Sequence, residues 1–173
     1  LGVVSRLDAP VTGAGPFART SKCASRLSEQ FRSQSVAKEY WAIVSGAPEA
    51  IEGRLEQTLL RRPSETITKV CSSDHPEGQL AVLEYRVVNC IKSQSFLSIR
   101  LITGRKHQIR CQLSAIGCPI LGDRLYGCKE SFAQGIALHC QRLEFDHPTT
   151  QARLKVLADP PIYWPSQFRN TGF

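Results

Sequence analysis

The sequence contains no methionine and no long hydrophobic run. No apolar stretch reaches the roughly 18 residues that a membrane-spanning helix needs. The first five residues lead directly into the charged Arg6, so no secretory signal is visible at the start of the chain. Because the chain begins at Leu1 rather than at methionine, we expect it to be part of a longer product.

Motifs for nucleotide cofactors and for metal ions are also missing. There is no G-x-x-x-x-G-K-[ST] and no G-x-G-x-x-G, which argues against a site that cradles phosphates through a glycine-rich loop. None of the four histidines stands in a metal-ligand spacing. No closely spaced pair of carboxylates indicates a glycosidase. The sequence therefore predicts no metal site and no nucleotide cofactor.

The cysteines do not form a recognisable framework. There are seven of them, an odd number, and no two stand in a C-x-x-C spacing. This pattern argues against a disulfide scaffold or a zinc ribbon, and it favours a reduced intracellular compartment. We expect most of these thiols to be buried structural residues.

Positive charge is what the sequence has in excess. The formal net charge is +7 and the sequence pI is about 9.2, with 42% hydrophobic and 21% charged residues. This composition is typical of a folded domain, and the length of 173 residues predicts a single domain over residues 1–173. The basic excess favours a polyanionic partner, either nucleic acid or an anionic membrane surface.

Residue patterns predict many strands and two helices. One helix is capped by Thr20 or Ser21 and runs through Phe31, and the other covers residues 105–116 before Gly117. Residues 47–65 are predicted to form a loop with a short strand around Leu55. Strands are predicted over residues 2–5, 11–20, 38–44, 67–71, 80–91, 96–102, 137–145 and 152–158. The expected fold class is α+β, with a mixed, mostly antiparallel central sheet flanked by helices.

Four stretches of the chain are more specific than these patterns. The strongest is T-G-R-x-H-Q-I-R over residues 103–110, whereas R-L-D at residues 6–8 occurs by chance in many proteins. The others are residues 38–46, residues 117–127 and residues 138–148. In this order and at these spacings the set resembles the RluA-type RNA pseudouridine synthases, over nearly the whole chain to about residue 160.

The resemblance implies three catalytic positions. Asp8 matches the aspartate that attacks the ribose, so that uracil detaches, rotates and rejoins through carbon. Tyr40 matches a tyrosine that stacks on the base and takes part in proton removal. Arg110 matches the arginine that pairs with the aspartate. Ile109 and Leu7 are expected to line the apolar part of the pocket.

Physical chemistry is consistent with these implied positions. A carboxylate can act as the nucleophile at an anomeric carbon, and a nearby guanidinium favours its ionised form. A tyrosine offers a flat apolar face with one polar tip, which suits a nucleobase. No cofactor is expected, because the implied reaction is an internal rearrangement.

RNA binding is the second implication of the resemblance. The target uridine must leave its stack, which costs roughly a few kcal/mol, and phosphate contacts offset part of this. Arg6 matches a position that enters the space left by the flipped base, where a planar guanidinium can stack. Arg105 and His107 are expected to be structural or to face the RNA backbone rather than to catalyse. Further RNA contacts are assigned to Ser5 and Lys38.

Each residue also has a reading without function. Taken alone, Asp8 before Ala9-Pro10 could cap a turn. Tyr40 on a strand could belong to the core, and Arg110 on a helix could be a surface charge. Only the ordered set of motifs favours the catalytic reading over these alternatives.

The chain departs from the family pattern in three places. Ser5 replaces the usual histidine before R-L-D, which we interpret as a change in RNA contact. Pro16 falls where an aliphatic strand is usual, so this strand should be bulged or lie at an edge. The few dozen residues that usually precede the motif are absent, so we expect an upstream segment or a partner chain to cover the exposed sheet edge.

The leading hypothesis is an RNA pseudouridine synthase, an isomerase that modifies tRNA or rRNA. The rival is a catalytically weak or inactive RNA-binding protein of the same fold, acting as an assembly factor or component of a ribonucleoprotein. Ser5, Pro16 and the absent start keep this rival open. The cysteine content and Ser5 lean towards a eukaryotic protein, with the mitochondrion as one candidate compartment.

Overall fold

Strands dominate the computed structural model, which describes residues 1–168. The predicted single domain extends to residues 169–173, which lie outside the described part. Within residues 1–168, short 3-10 helices cover Arg124–Tyr126 and Ser166–Phe168. The strands are β1 (Gly2–Val3), β2 (Thr12–Gly13), β3 (Phe17–Ala18), β4 (Ala37–Ser45), β5 (Glu52–Leu60), β6 (Lys69–Cys71), β7 (Gln79–Ile91), β8 (Gln94–Leu101), β9 (Leu138–Asp146) and β10 (Arg153–Leu157), and the helices are α1 (Ser21–Arg32) and α2 (Gln108–Ala115).

The large sheet has the strand order β10-β9-β4-β8-β7-β5-β6. Every neighbouring pair along this order is antiparallel, and β2 adds a parallel pairing to β9. A separate two-stranded antiparallel sheet joins β1 to β3. The predicted α+β class with a mixed, mostly antiparallel sheet is confirmed.

The main core lies on the central strands β4, β7 and β8. Ile43, Phe96 and Leu97 are fully buried there, and Leu113 of α2 packs into the same cluster. The C-terminal part of the described chain closes over it, with the Phe168 ring 5.3 Å from that of Phe96. Burial of one such aromatic side chain stabilises the fold by about 1.5–3 kcal/mol. No helix within residues 1–168 is long and apolar enough to cross a membrane.

The region after β4 differs from the prediction. The expected loop over residues 47–65 contains a nine-residue strand, β5, which pairs with both β6 and β7. Gly53 stands opposite Tyr85, and a Cβ at Gly53 would lie 2.8 Å from the Tyr85 hydroxyl oxygen. The Tyr85 ring thus occupies the place of the missing side chain. The strand was underestimated because its first part is mostly polar and no better than half buried, and its leucines, Leu55, Leu59 and Leu60, do not alternate regularly with polar residues.

The strand predicted over residues 11–20 is interrupted. Thr12 and Gly13 pair with β9, whereas Phe17 and Ala18 pair with β1 in the other sheet. Pro16 lies between the two pieces, where its missing N–H donor breaks the ladder. The sequence predicted one strand that is bulged or lies at an edge, and the structure instead has two strands of two residues each.

Both helices occur where the pattern predicts them. The Thr20 side chain accepts a hydrogen bond from the Cys23 N–H at 3.2 Å, which confirms the cap. Leu27 of this helix is buried against β9. The second helix is shorter than residues 105–116, because His107 adopts a left-handed φ of 55° immediately before it. Gly117 follows that helix with a φ of 76°, as its predicted capping place requires.

Candidate active site

An open cavity of about 960 Å³ lies between the β1–β2 loop and the N-terminal end of α2. Lys38 and Tyr40 of β4 form part of its wall. All ten residues that the sequence singled out line this one cavity. They are Ser5, Arg6, Leu7, Asp8, Lys38, Tyr40, Arg105, His107, Ile109 and Arg110.

Asp8 lies on the loop side of the cavity with 24% of its side chain exposed. Its main-chain carbonyl accepts a hydrogen bond from the Val11 N–H at 2.9 Å, which closes the turn through Ala9-Pro10. Arg110 Nη1 lies 3.4 Å from Asp8 Oδ2, and His107 Nε2 lies 3.6 Å from the same oxygen. The carboxylate therefore faces two nitrogen donors on the opposite wall.

Arg110 is anchored inside the protein and is not a surface charge. Only 5% of its side chain is exposed, and it makes two hydrogen bonds to Asp123, Nε to Oδ2 at 2.7 Å and Nη2 to Oδ1 at 2.8 Å. Burial opposes its charge, but Asp123, together with Asp8 and Tyr126, offsets this and raises the pKa of Arg110. The guanidinium carbon also lies 4.9 Å from the centre of the Tyr126 ring. The remaining nitrogen, Nη1, is thus held towards Asp8.

Tyr40 reaches the cavity from a distorted part of β4. The pairing of β4 with β9 shifts register between Glu39 and Tyr40, and such bulges redirect a side chain. Burial, followed by the neighbouring Cys140 and Asp8, raises the pKa of Tyr40 well above its usual value. The phenol therefore keeps its proton at neutral pH. A flat, protonated ring suits stacking better than direct removal of a proton.

Lys38 lies deeper than an ordinary RNA-contacting lysine. It is 8% exposed, and burial lowers the pKa of its ammonium group, with Cys140 opposing this. A Cβ at Gly104 would lie 3.2 Å from the Lys38 Nζ, so the loop passes directly over the amine. Lys38 thus offers its charge to the cavity interior rather than to the outer surface.

The loop before α2 is fastened by Thr103 and Gln108. The Thr103 hydroxyl donates to Gln108 Oε1 at 2.8 Å and accepts from the Val82 N–H at 2.8 Å. Gln108 Nε2 donates to the Val82 carbonyl oxygen at 3.0 Å, and the Arg105 N–H donates to Gln108 Oε1 at 3.0 Å. These bonds tie the T-G-R-x-H-Q run to β7. They explain why the run needs threonine and glutamine at these places.

The remaining predicted residues take three different positions. Arg6 is exposed at the cavity rim, and Ser5 precedes it in the lining. Arg105 Nε donates to the Leu80 carbonyl oxygen at 3.0 Å, which directs this side chain along β7. Leu7 and the 5% exposed Ile109 supply apolar lining.

Sequence reasoning gave no role to Asp123 and Tyr126. Both lie within the motif segment at residues 117–127, and both are buried. The Tyr126 hydroxyl contacts His107 Nδ1 at 2.9 Å and the Thr68 N at 2.8 Å. A buried arginine needs a carboxylate partner, but the burial of Arg110 was not predicted, so the sequence provided no reason to look for Asp123. No cluster of three or more metal-ligating side chains occurs among residues 1–168.

Comparison with known proteins identifies this arrangement. Residues 1–115 match the sequence model of the RNA pseudouridylate synthase family. The chain is 34% identical over 177 residues to an uncharacterized RNA pseudouridine synthase of Zymomonas mobilis, a match that covers 99% of this chain and 76% of that protein. The fold and the match define an RNA-modifying class of protein. The chain belongs to the RNA pseudouridylate synthase family, as the RluA-type resemblance predicted.

Two further comparisons bear on the extent of this likeness. Ribosomal large subunit pseudouridine synthase D of Zymomonas mobilis is 32% identical over 169 residues, covering 92% of this chain and 53% of the relative. The chain thus spans about half the length of that relative. The structure of human RNA pseudouridylate synthase domain containing 4 superposes with a TM-score of 0.79 at 25% identity, over 94% of this chain and 72% of that one.

Proposed function

We propose that this protein isomerises uridine in RNA to pseudouridine and that Asp8 is its nucleophile. One observation carries the proposal: the Asp8 carboxylate lies in a cavity of about 960 Å³, 3.4 Å from an arginine that Asp123 anchors. The buried guanidinium is fixed in place before the substrate binds, so it can stabilise charge at the reacting carboxylate without reorganisation during the reaction.

The proposed reaction proceeds in two substitutions at the ribose. One oxygen of Asp8 bonds to C1′ while the C1′–N1 bond breaks, and N1 keeps the electron pair. The detached uracil turns, its C5 bonds to C1′, and the Asp8 carboxylate leaves. The proton lost from C5 is balanced by the proton gained at N1. Atoms and electrons therefore balance without a cofactor or a second substrate.

The lining of the cavity supports a flipped nucleobase as its occupant. Tyr40 offers an aromatic face, and Leu7 and Ile109 add apolar contact. A volume of about 960 Å³ also leaves room for the ribose and its phosphates. Arg6 at the rim can enter the gap that the base leaves in the RNA, which offsets part of the lost stacking.

Unpaired positive charges near the cavity support an RNA substrate. Arg6, Lys106, Arg61 and Arg124 are exposed and take part in no ion pair within residues 1–168. Such residues attract phosphates, whereas Arg54 and Arg100 are neutralised by glutamates. Relatives named as ribosomal large subunit synthases favour rRNA as the substrate, with tRNA as the alternative.

The test is to incubate the protein with total cellular RNA and to map pseudouridine by carbodiimide labelling. Asp8→Asn should abolish the new sites, a loss of at least about a thousandfold in rate, because no other group replaces the nucleophile. Asp74→Asn, an exposed carboxylate outside the cavity lining, is the matched control and should retain full activity. Pseudouridine formation that survives Asp8→Asn would overturn the mechanism. Tight RNA binding with no modification would favour the non-catalytic rival.

A further inference from the structure

His107 holds an unusual backbone conformation beside the cavity. Its φ of 55° is left-handed, a region that costs a non-glycine residue roughly 1–2 kcal/mol. The conformation directs the imidazole between Tyr126 and Asp8, and only 10% of the side chain stays exposed. Strain of this kind persists where surrounding contacts enforce it, and it is common at functional sites.

The hydrogen bonds around Tyr126 link it to one imidazole nitrogen of His107. The Thr68 N–H donates to the Tyr126 hydroxyl oxygen at 2.8 Å. The phenolic hydrogen can then go to His107 Nδ1 at 2.9 Å or to the Thr68 hydroxyl, which also bonds this phenol. When Nδ1 accepts, the neutral ring carries its hydrogen on Nε2.

On the other side of the ring, the contact with Asp8 favours the hydrogen on Nε2. His107 Nε2 lies 3.6 Å from Asp8 Oδ2. An Nε2–H group attracts that carboxylate, whereas a lone pair on Nε2 would repel it. The Asp8 contact therefore favours the tautomer in which Nδ1 accepts from Tyr126.

Charged groups from several elements act on this ring. Burial lowers the pKa of His107, and the cations Arg110, Lys106 and Arg61 lower it further, while Asp8 raises it. The balance favours the neutral imidazole at neutral pH. The Nε2–H therefore faces Asp8 as a neutral polar group, 3.6 Å from Oδ2 and beside the full charge of Arg110.

We propose that His107 is a positioning residue that holds one oxygen of Asp8 for the reaction. Arg110 and His107 both face Oδ2, whereas Oδ1 has no hydrogen-bond or ion-pair partner within residues 1–168. The held oxygen fixes the orientation of the carboxylate, and the free oxygen is the one that attacks. Tyr126 sets the tautomer of His107. The inference rests on the proposed function of Asp8.

Kinetics with matched variants test the positioning role. His107→Leu removes the donor, and His107→Gln keeps an N–H near the place of Nε2. We expect His107→Leu to slow single-turnover modification about 30-fold with RNA affinity unchanged within about twofold, and His107→Gln to recover most of the rate. His75→Gln, in the turn before β7, is the control and should behave as wild type. Equal rate losses in both His107 variants, or a loss confined to RNA affinity, would overturn the proposal.

A spectroscopic measurement separates this proposal from the proposed function. The ¹⁵N shifts of the imidazole of His107, assigned by comparison with His107→Gln, report the tautomer in the protein without RNA. We expect the Nε2–H form in wild type and a mixture of forms in Tyr126→Phe. If wild type forms no pseudouridine but shows this change, the proposed function fails while the His107–Tyr126 arrangement stands. An Nδ1–H tautomer in wild type would overturn the arrangement whatever the activity.

Discussion

Arg110 and Asp8 face each other across the cavity, but the protein supports them in different ways. Arg110 belongs to a helix whose first six residues are all buried, and two hydrogen bonds join it to the 1% exposed Asp123. Asp8 lies on a loop between β1 and β2, strands of two residues each. The cationic half of the site, around Arg110, is therefore part of the core, and the loop half, with the proposed nucleophile Asp8, depends on a few tertiary anchors.

Those anchors are contacts of the loop and β2 with β9 and with Ile136, which lies just before β9. Thr12 Oγ1 and His139 Nδ1 lie 2.8 Å apart, and the Ala14 N–H donates to the Cys140 carbonyl oxygen at 2.9 Å. The Ile136 N–H donates to the Pro10 carbonyl oxygen at 3.2 Å. The difference teaches that one site can combine a cation fixed in the core with a proposed nucleophile on a loop whose flanking strands make few backbone hydrogen bonds. It also predicts that damage to the two halves has different consequences.

The largest effect is expected in the cationic half. Asp123→Asn keeps the size of the side chain but removes the charge that Arg110 needs, and breaking one partner of a buried ion pair destabilises a protein by about 3–5 kcal/mol. Thermal or urea unfolding measures this loss. Glu84→Gln, in an exposed pair with Arg54 and Arg100, should change stability by less than about 1 kcal/mol. Similar losses in both variants would contradict the special support of Arg110.

The loop half is tested by glycine substitutions. Gly13 has a φ of 121°, and a Cβ there would lie 2.5 Å from the Cys140 N, so Gly13→Ala must push β2 away from β9. We expect a loss of about 2 kcal/mol in unfolding free energy and a larger proportional loss of modification rate. Gly15→Ala, with open space around its Cβ, is the matched control. A Gly13→Ala protein that unfolds more easily yet remains fully active would remove β2 as the anchor of Asp8.

Arg6 tests whether the loop half also contacts the RNA. Arg6→Ala should slow modification about tenfold, equivalent to about 1.4 kcal/mol, while weakening RNA binding less. The reason is that its guanidinium would act only after the base has left the stack. Single-turnover rates and filter-binding affinities separate the two effects. Arg19→Ala, an exposed arginine outside the cavity lining, is the control, and equal losses in rate and affinity for Arg6→Ala would argue against base replacement.

The smallest effect is expected from acidification. Burial lowers the pKa of His139, with the Ala158 carbonyl oxygen and Asp159 opposing this, so the folded protein binds its proton at lower pH than the unfolded chain does. Stability is therefore highest above the ordinary histidine pKa of about 6.5 and falls as the pH drops below it. Thermal melts at pH 8 and pH 5 measure the fall, and His139→Gln should reduce it. An unchanged pH dependence in His139→Gln would mean that this anchor does not titrate.

Predictability from sequence also differed between the two halves. The T-G-R-x-H-Q-I-R run predicted the N-terminal part of α2, and Thr103, Gln108 and Arg110 all lie in it. The order of the motifs predicted that Asp8 and Tyr40 share one site. It could not show that the strand predicted over residues 11–20 is split at Pro16 between two sheets. Most of strand β5 was not predicted, because its position depends on pairing with β7 rather than on a local sequence pattern.

The sequence by itself determined the α+β class, a helix cap at Thr20 or Ser21, the family and ten of the residues that line the cavity. These follow from local pattern and from motif order, which residues carry in the chain itself. Only the tertiary structure decided that Asp123 holds Arg110, that Tyr126 orients His107, and that both donors face one oxygen of Asp8. Those contacts join residues as many as 102 positions apart, and their strength depends on burial, which no local pattern contains.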